Sequence, residues 1–402
     1  MILYNFYGGE TLRKLVKILF PLFFFFLFLP GQSYGIGIED NVSAYIVGDS
    51  ASGQIFAQYQ EEEVLPIASL TKIMTYMVVE DEIEKGNLSY EDTVEISKEA
   101  AETTGSSMDL KEGDTVTIED LLEGMMIVSG NDASIVLAQK VSGSEDEFIK
   151  LMAAKADEIG LTTATFHTAS GLPLSKPENT MSTKDLFTMS EYLIKNYPQV
   201  LDLTSQMELV QPERDFSKPS TIPFLPSVPG IDGLKTGTTA DAGHCLITTK
   251  MGSGNQGDES FRTIGIIMGA PDKFLRDDCM RMLMEYVDKS FAVTTLTDPN
   301  QVYDEIPFAE SQKGSIEVYP SEELKILINK ERGVSYTPTY LDVSAPLKSG
   351  DKVGELLIKP GKEGEVTMDL IVKEDYGKAD VGTRILRSGS NILTTIRKML
   401  YF

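Results

Sequence analysis

The sequence predicts an α+β fold in which helices flank an antiparallel sheet, followed by a small all-β domain. Alternating runs at residues 43–49 and 54–59 predict a strand hairpin, and glycine-rich runs at 230–249 and 263–269 predict further antiparallel core strands. The stretches between them contain apolar residues at helical spacing. With 402 residues, 42% of them hydrophobic, the chain is long enough for two domains of ordinary size.

The first 35 residues have the pattern of an export signal. Three basic residues among positions 13–17 precede an apolar run at 18–30, and small residues follow at 33–35. The apolar run is shorter than the roughly 20 residues that a membrane-spanning helix needs. We therefore expect an exported protein that is cleaved after Gly35, with an uncleaved N-terminal anchor as the alternative.

The helix predicted after the hairpin carries the first candidate site residues. Its sequence is PIASLTKIMT at residues 66–75, and it places Ser69 and Lys72 one turn apart on one helix face. A lysine amine that loses its proton in an apolar pocket is a base able to activate a serine hydroxyl. The same spacing recurs at Ser349 and Lys352, but glycine and charged neighbours there indicate a solvated turn.

A second corner of the site is expected in the loop at residues 129–133. A capped helix start at 117–120 begins an apolar helix that ends at this loop, and another apolar helix follows. Polar groups between two buried helices are expected to be hydrogen-bonded or functional, which singles out Ser129 and Asn131. The alternative is an ordinary helix end with Asn131 capping the next helix. The same Ser-x-Asn spacing at 253–255 lies in a glycine-rich stretch and is interpreted as a hairpin turn.

A third motif, Lys-Thr-Gly at residues 235–237, lies on a predicted core strand. Glycines beside Lys235 allow a ligand to approach the backbone closely. Lys235 would then be a fixed cation facing the pocket, while Thr236 and Gly237 offer hydrogen bonds along a strand edge. A solvated hairpin lysine is the alternative.

Composition argues against several other functions. The net charge of −25, from 61 acidic and 36 basic residues, is opposite to the basic surface that nucleic-acid binding requires. The only histidines are His167 and His244, and Cys245 and Cys279 do not have metal-ligand spacing, so we expect no metal, no other cofactor and no Ser-His-Asp triad. Two buried thiols are favoured for the cysteines, although export leaves a disulfide possible.

The three motifs together resemble a known family. Ser-x-x-Lys, Ser-x-Asn and Lys-Thr-Gly form the signature of penicillin-binding proteins and class A β-lactamases. Residues 66–75, 128–133 and 232–239 are similar to the low-molecular-mass D-alanyl-D-alanine carboxypeptidases, and the similarity extends over about residues 40–290. The resemblance implies a penicillin-binding/β-lactamase-like transpeptidase fold. One departure is Thr168, where that family often has asparagine, and we expect an altered loop there.

The resemblance also implies roles for the candidate residues. Ser69 would be the acyl-ester nucleophile, Lys72 its general base, and Ser129 a proton relay oriented by Asn131. Backbone N–H groups of Ser69 and Thr238 would form the oxyanion hole. The substrate-binding residues implied are Lys235, Thr236, Gly237, Thr238 and Arg276. For Arg276 the alternative is a surface residue.

The function implied is removal of the terminal D-alanine from peptidoglycan pentapeptides, with β-lactam antibiotics as covalent inhibitors. The alternatives are a β-lactamase, a D,D-endopeptidase, or a non-catalytic wall-binding protein. A class A β-lactamase holds its hydrolytic water with a glutamate. Glu158 lies in a sequence faintly similar to that motif, but it is interpreted as a helix-tail residue.

The chain after residue 290 changes character. Residues 291–380 contain short alternating runs punctuated by glycine and proline, which predicts a small β-sandwich after the 36–290 peptidase-like domain. Residues 381–402 lack acidic residues and carry apolar positions at helical spacing, which predicts an amphipathic tail on the outer face of the cytoplasmic membrane. A helix packed on the protein itself is the alternative.

Overall fold

A computed structural model describes residues 36–225, 227–253, 260–361 and 364–383. The expected export signal and most of the expected C-terminal tail, from residue 384 onward, lie outside the described residues. In the described part of the chain, no helix is both long enough and apolar enough to cross a bilayer.

The central element is a five-stranded antiparallel sheet with the strand order β2-β1-β11-β10-β9. Its strands are β1 (Ala44–Asp49), β2 (Ile55–Tyr59), β9 (Ile231–Thr239), β10 (Gly243–Ser253) and β11 (Phe261–Ala270). The predicted hairpin and the predicted core strands are therefore confirmed. Because β9 pairs on one side only, it is an edge strand of this sheet.

Helices cover the sheet on both faces. The α-helices of the described residues before 291 are α1 (Lys72–Glu84), α2 (Lys98–Ala101), α3 (Ile118–Ile127), α4 (Asn131–Ser142), α5 (Glu145–Ile159), α6 (Thr183–Asn196), α7 (Val200–Thr204) and α8 (Lys273–Ser290). Helix α1 is buried at every residue from Lys72 to Glu80, because residues 73–79 are apolar apart from Thr75. The predicted cap is present, since the Thr117 side chain accepts a hydrogen bond from the Asp120 N–H.

Alternation along β1 divides the interior into two cores. Ala44 and Ile46 point into the core that contains α1, whereas Tyr45 and Val47 point into the core beneath α8. A strand buried on both faces fixes the sheet between two helical layers. The predicted α+β class is confirmed.

Short paired strands connect the larger elements. The pairs are β3 (Val64–Pro66) with β6 (Thr180–Ser182), β4 (Thr93–Glu95) with β5 (Thr115–Thr117), and β7 (Glu208–Gln211) with β8 (Phe216–Pro219). The β3–β6 pair lies directly before Ser69, so it tethers the start of α1 to the chain near residue 180.

The C-terminal part is all-β, as predicted. Its five-stranded sheet has the order β13-β14-β18-β17-β16, and a separate pair joins β12 to β15. The strands are β12 (Phe291–Thr297), β13 (Asp304–Pro307), β14 (Ser315–Pro320), β15 (Leu324–Asn329), β16 (Val334–Tyr340), β17 (Lys352–Pro360) and β18 (Val366–Ile371). These strands enclose a third hydrophobic core of their own.

Candidate active site

Ser69 lies on a short 3₁₀ turn, Ala68–Thr71, that leads directly into α1. The prediction placed Ser69 within the α-helix itself, but the α-helix begins at Lys72. Ala68 enters the turn with a left-handed backbone, φ +46°. The two side chains still meet, because Lys72 Nζ lies 2.8 Å from Ser69 Oγ.

Lys72 is completely buried and has three oxygen neighbours. Besides Ser69 Oγ, its Nζ lies 2.7 Å from Asn131 Oδ1 and 2.7 Å from the Ser170 carbonyl oxygen. The latter two atoms only accept hydrogen bonds. A neutral amine has two N–H groups for these carbonyl oxygens and one lone pair for the Ser69 hydroxyl proton, so the arrangement fits an unprotonated lysine.

Electrostatics favour the same form. Burial lowers the pKa of Lys72 well below its usual value, and the charge of Lys235 lowers it further. Asp132 acts in the opposite direction and raises it. Desolvation and the second lysine outweigh the carboxylate, so the net effect favours the neutral amine.

Asn131 does not cap α4, so the capping alternative is wrong. It is the first residue of that helix, whose N-cap is Gly130 without a side-chain hydrogen bond. The Asn131 amide instead donates from Nδ2 to the Thr104 carbonyl at 2.8 Å and accepts from Lys72 through Oδ1. Its orientation is therefore fixed from two sides.

Lys235 is also completely buried, so the alternative of a solvated hairpin lysine is wrong. Its Nζ donates to Ser129 Oγ at 2.8 Å and to the Thr236 carbonyl at 3.1 Å. Burial, together with the charge of Arg276, lowers the pKa of Lys235 to about 7. Ser129 itself has a left-handed backbone, φ +63°, and a buried side chain.

Strand β9 approaches the Ser69 turn at Gly237. A Cβ atom added to Gly237 would lie 3.0 Å from the Ile67 carbonyl oxygen and 3.1 Å from the Ser69 nitrogen. The absence of a side chain permits this contact. On the same strand, Thr236 is buried, and Thr238 Oγ1 lies 2.8 Å from the Gly237 carbonyl and 3.2 Å from His244 Nδ1.

Arg276 is buried in the first turn of α8, so the alternative of a surface arginine is wrong. Its Nε donates to Asp277 Oδ1 at 2.8 Å, and Nη2 lies 2.7 Å from the same oxygen. Its charge reaches the site, because it contributes to the lowered pKa of Lys235.

Sequence reasoning missed Asp132, which supports the site from behind. Its buried carboxylate accepts hydrogen bonds from Ser107 Oγ, Met108 N and Leu110 N. These bonds hold the loop whose Thr104 carbonyl orients Asn131. The sequence did offer a signal for Asp132, which is its position directly after Asn131. An acidic side chain between two apolar helices needs hydrogen-bond partners.

The chain near residue 170 was also missed. The Ser170 carbonyl contacts Lys72, and Gly171 follows with φ +79°. A Cβ at Gly171 would lie 1.9 Å from the Ala68 carbonyl oxygen, so only glycine fits this approach to the Ser69 turn. Thr168, the expected altered position, donates from its N–H to Asn179 Oδ1 and accepts from the Gly171 N–H.

The second Ser-x-x-Lys motif, Glu158 and the two cysteines have the surroundings that the sequence indicated. Ser349 and Lys352 are exposed, and Glu158 near the end of α5 bonds Lys155 and Tyr192. Cys245 and Cys279 are buried free thiols, which resolves the open disulfide question. Residues 254–259, which include Asn255 of the second Ser-x-Asn, are outside the described part.

Comparison with known proteins gives consistent matches. The family model described as D-alanyl-D-alanine carboxypeptidase, peptidase family S11, matches residues 38–272. The chain is 30% identical to D-alanyl-D-alanine carboxypeptidase DacF of Bacillus subtilis over 84% of this chain and 86% of the relative.

Two solved structures are also similar to this chain. Penicillin binding protein 5 from Haemophilus influenzae is 25% identical, with a TM-score of 0.62, over 84% of this chain and 98% of that one. Penicillin-Binding Protein D2 from Listeria monocytogenes, in its ampicillin-bound form, is 31% identical with a TM-score of 0.55 over 61% and 96%. The predicted penicillin-binding-type fold is confirmed.

Proposed function

The chain belongs to the D-alanyl-D-alanine carboxypeptidase family of serine peptidases, and from this premise we propose that it removes the terminal D-alanine from peptidoglycan pentapeptides through an acyl-enzyme on Ser69. The observation that supports this most strongly is the position of Lys72. Its buried amine lies 2.8 Å from Ser69 Oγ, and its two other neighbours are acceptor oxygens. A base with a free lone pair is what a serine nucleophile requires.

In the first step Ser69 Oγ attacks the carbonyl carbon of the penultimate D-alanine. The hydroxyl proton passes to Lys72 Nζ as the new C–O bond forms. The carbonyl oxygen becomes an oxyanion and accepts hydrogen bonds from the backbone N–H groups of Ser69 and Thr238. Each such donor contributes about 3 kcal/mol of transition-state stabilisation. A Cβ atom added to Gly237 would lie 3.1 Å from the Ser69 nitrogen, so strand β9 passes close to this N–H group. This proximity supports an oxyanion hole formed by Ser69 and Thr238 together.

In the second step the peptide C–N bond breaks. The leaving amine of the terminal D-alanine takes a proton from Ser129 Oγ, which Lys72 replenishes, and the acyl-enzyme remains. Water then attacks the ester carbonyl carbon and gives a proton to Lys72. The bond between the acyl carbon and Ser69 Oγ breaks, Lys72 returns the proton to Ser69 Oγ, and the shortened peptide leaves with a free carboxylate. Ser129 is suited to this relay because it is hydrogen-bonded to Lys235 and lies two residues before Asn131, which binds Lys72.

The terminal carboxylate of the substrate is held by Lys235, Thr236, Thr238 and Arg276, with Gly237 allowing close approach to the strand edge. Two buried cations near one another are costly unless an anion joins them. Burial and then the charge of Arg276 lower the pKa of Lys235, so both disfavour its charged form. A carboxylate bound between the two cations would relieve this cost.

β-Lactam antibiotics are expected to acylate Ser69, and the ampicillin-bound form of the Listeria relative supports this. The β-lactamase alternative requires fast hydrolysis of the acyl-enzyme. Glu158 offers no support for it, because its carboxylate bonds Lys155 and Tyr192 near the end of α5. An endopeptidase activity on the same fold would use the same residues.

The test is Ser69→Ala, with Ser349→Ala as the matched control in the exposed second motif. Ser69→Ala should abolish labelling by a fluorescent penicillin and release of D-alanine from a pentapeptide, whereas Ser349→Ala should change neither. Retention of label in Ser69→Ala would move the nucleophile elsewhere. Labelling of the parent protein without D-alanine release would favour a wall-binding or β-lactamase role.

We also propose the domain division 1–35, 36–290, 291–380 and 381–402, with the third part as a spacer or docking domain and the last as a membrane-associating tail. The charge reversal after Asp380 supports a tail on the outer face of the cytoplasmic membrane. Deletion of residues 383–402 should release the protein from membranes. Continued sedimentation with membranes would contradict this role.

A further inference from the structure

His244, one of the two histidines of the chain, contacts the strand that is proposed to bind substrate. It stands directly opposite Thr238 in the pairing of β10 with β9. Residues directly opposite each other in an antiparallel pair have their side chains on the same face of the sheet. The Nδ1 atom of His244 lies 3.2 Å from Thr238 Oγ1. The acyl-transfer steps proposed above do not use this imidazole.

The direction of the hydrogen bond between the two side chains follows from the hydrogens available. Thr238 Oγ1 carries one hydrogen, and the Gly237 carbonyl oxygen, 2.8 Å away, can only accept. The hydroxyl hydrogen is therefore donated to the Gly237 carbonyl, and the other bond is donated by His244 Nδ1–H. We infer that the imidazole carries a hydrogen on Nδ1, as it does in one neutral tautomer and in the charged form.

The backbone holds His244 in this position from both sides. The pairing of β10 with β9 runs without a shift from Gly243, opposite Thr239, to Thr249, opposite Gly233. On the other side, Gly243 has a left-handed backbone, φ +63°, and a Cβ atom there would lie 2.8 Å from the Ala270 carbonyl oxygen. Because a one-residue slip would move every side chain to the other face, this register fixes the contact between His244 and Thr238.

The face of the sheet that carries His244 also carries groups proposed to hold the substrate carboxylate. Thr236 and Thr238 are two positions apart on β9, so their side chains share a face. Leu246, directly opposite Thr236, packs in the core beneath α8, which identifies this as the face that α8 covers. Arg276 lies in the first turn of α8. His244 therefore lies on the side of the sheet to which Thr236, Thr238 and Arg276 belong.

We propose that His244 is a positioning residue for Thr238 and thereby strengthens binding of an acyl donor that carries a carboxylate. When the carboxylate binds, the Thr238 hydroxyl turns its hydrogen from the Gly237 carbonyl to a carboxylate oxygen, while Oγ1 continues to accept from His244 Nδ1. An Oγ1 atom held in place beforehand loses less conformational freedom on binding. A hydroxyl that accepts one hydrogen bond also donates a stronger one. This role rests on the proposed function, because it requires the carboxylate of the acyl donor to lie at Thr238.

The experiment moves the donor atom within one side chain of the full-length protein. His244→Asn keeps an N–H group on the atom bonded to Cγ, as Nδ1 is, whereas His244→Gln places it one bond further out and His244→Leu removes it. His167→Asn is the matched control, because the structure shows the His167 backbone N–H, which the substitution keeps, bonded to Asn179 Oδ1. The ligands are benzylpenicillin and its methyl ester, which lacks the negative charge.

Saturation kinetics of Ser69 acylation separate the dissociation constant of the initial complex from the limiting acylation rate. His244→Leu and His244→Gln should raise this constant for benzylpenicillin by about tenfold, as expected for a weakened hydrogen bond to a charged group. The limiting rate should stay within about twofold of the parent, because the lost interaction is made equally before and during acylation. His244→Asn should restore binding to within about twofold of the parent value. The methyl ester should be acylated equally by all His244 variants, and His167→Asn should match the parent.

Three results would overturn the role of His244. They are unchanged benzylpenicillin binding in His244→Leu, an equal loss in His244→Asn, His244→Gln and His244→Leu, or a loss confined to the limiting rate. Release of D-alanine from a pentapeptide by the parent protein tests the proposed function separately. If penicillin acylates the parent but no D-alanine is released, the carboxypeptidase proposal fails while the comparison of His244 variants still decides the role of His244. If penicillin does not acylate the parent, both proposals are wrong.

Discussion

Lys72 and Lys235 are hydrogen-bonded to one three-residue segment, because Lys72 Nζ contacts Asn131 Oδ1 at 2.7 Å and Lys235 Nζ contacts Ser129 Oγ at 2.8 Å. Both lysines are completely buried. The segment thereby joins a proposed base to a proposed substrate-binding cation. A displacement of residues 129–131 would change the hydrogen bonds of both lysines together. The pKa values of the two lysines can therefore be tested as a pair.

Replacement of the proposed base is the most direct test. Lys72→Arg keeps a long cation but cannot provide a neutral amine, since arginine stays protonated in proteins. We expect the second-order rate of penicillin acylation to fall by about 10²- to 10⁴-fold, the usual contribution of a general base. Lys352→Arg in the exposed second motif should leave the rate unchanged. An acylation rate within a few fold of the parent in Lys72→Arg would remove Lys72 from that role.

The pH dependence of kcat/KM should reveal the two lysines. Activity should rise as Lys72 loses its proton, at a pH well below the usual value for lysine, because burial and Lys235 lower its pKa. Activity should fall as Lys235 loses its charge, with a pKa of about 7 in the free enzyme. Lys235→Arg should lower the maximum but abolish the alkaline decline, since that side chain stays charged. An unchanged alkaline limb in this variant would mean that another group titrates.

Removal of the Arg276 charge should have two separable effects. Arg276→Gln should raise KM for a D-Ala-D-Ala peptide and lower kcat/KM by about tenfold, as expected for loss of a charge-assisted hydrogen bond. It should also shift the alkaline limb to higher pH, because Arg276 helps to lower the pKa of Lys235. Arg281→Gln on the same helix, where the guanidinium is exposed and pairs with Asp278, is the control. A loss of activity without a pH shift would indicate only a structural contribution.

Asp132 is expected to act as a positioning residue. Asp132→Asn removes the charge that receives the Met108 and Leu110 N–H groups, so unfolding free energy should fall by about 1–3 kcal/mol. The same change removes an interaction that raises the pKa of Lys72, so the acidic limb of the pH profile should move to lower pH. Thermal unfolding and the pH profile measure the two effects separately. A destabilised variant with an unshifted acidic limb would limit Asp132 to holding the loop.

The approach of Gly171 to the Ser69 turn can be measured by comparison with another glycine. Gly171→Ala places a Cβ 1.9 Å from the Ala68 carbonyl oxygen, whereas Gly160→Ala has a similar left-handed backbone, φ +86°, and no atom within 4 Å. Gly160→Ala should therefore lose only about 1 kcal/mol of unfolding free energy from backbone strain. Gly171→Ala should lose about 2 kcal/mol more and acylate slowly. Equal losses in chemical denaturation would show that the turn can move aside.

Much of the fold could be predicted because its signals are local. The hairpin before Ser69, the cap at Thr117 and the core strands around Lys235 follow from residue alternation and helical spacing over a few positions. The boundary between the 3₁₀ turn and α1 was not predicted, because a 3₁₀ turn and an α-helix would each bring Ser69 and Lys72 together. Propensity over so short a stretch does not distinguish these two conformations.

The sequence by itself determined which residue types are available: a serine three positions before a lysine, a Ser-x-Asn loop and a Lys-Thr-Gly strand. It could not determine that Asn131 turns toward Lys72, 59 residues away, or that Lys235 meets Ser129 across 106 residues. It also could not determine that the Asp132 carboxylate meets the N–H groups of Met108 and Leu110, or that the Ser170 carbonyl meets Lys72. Tertiary structure decides these features, because the proton affinity of a lysine depends on how completely distant parts of the chain exclude water from it and which charges they bring beside it.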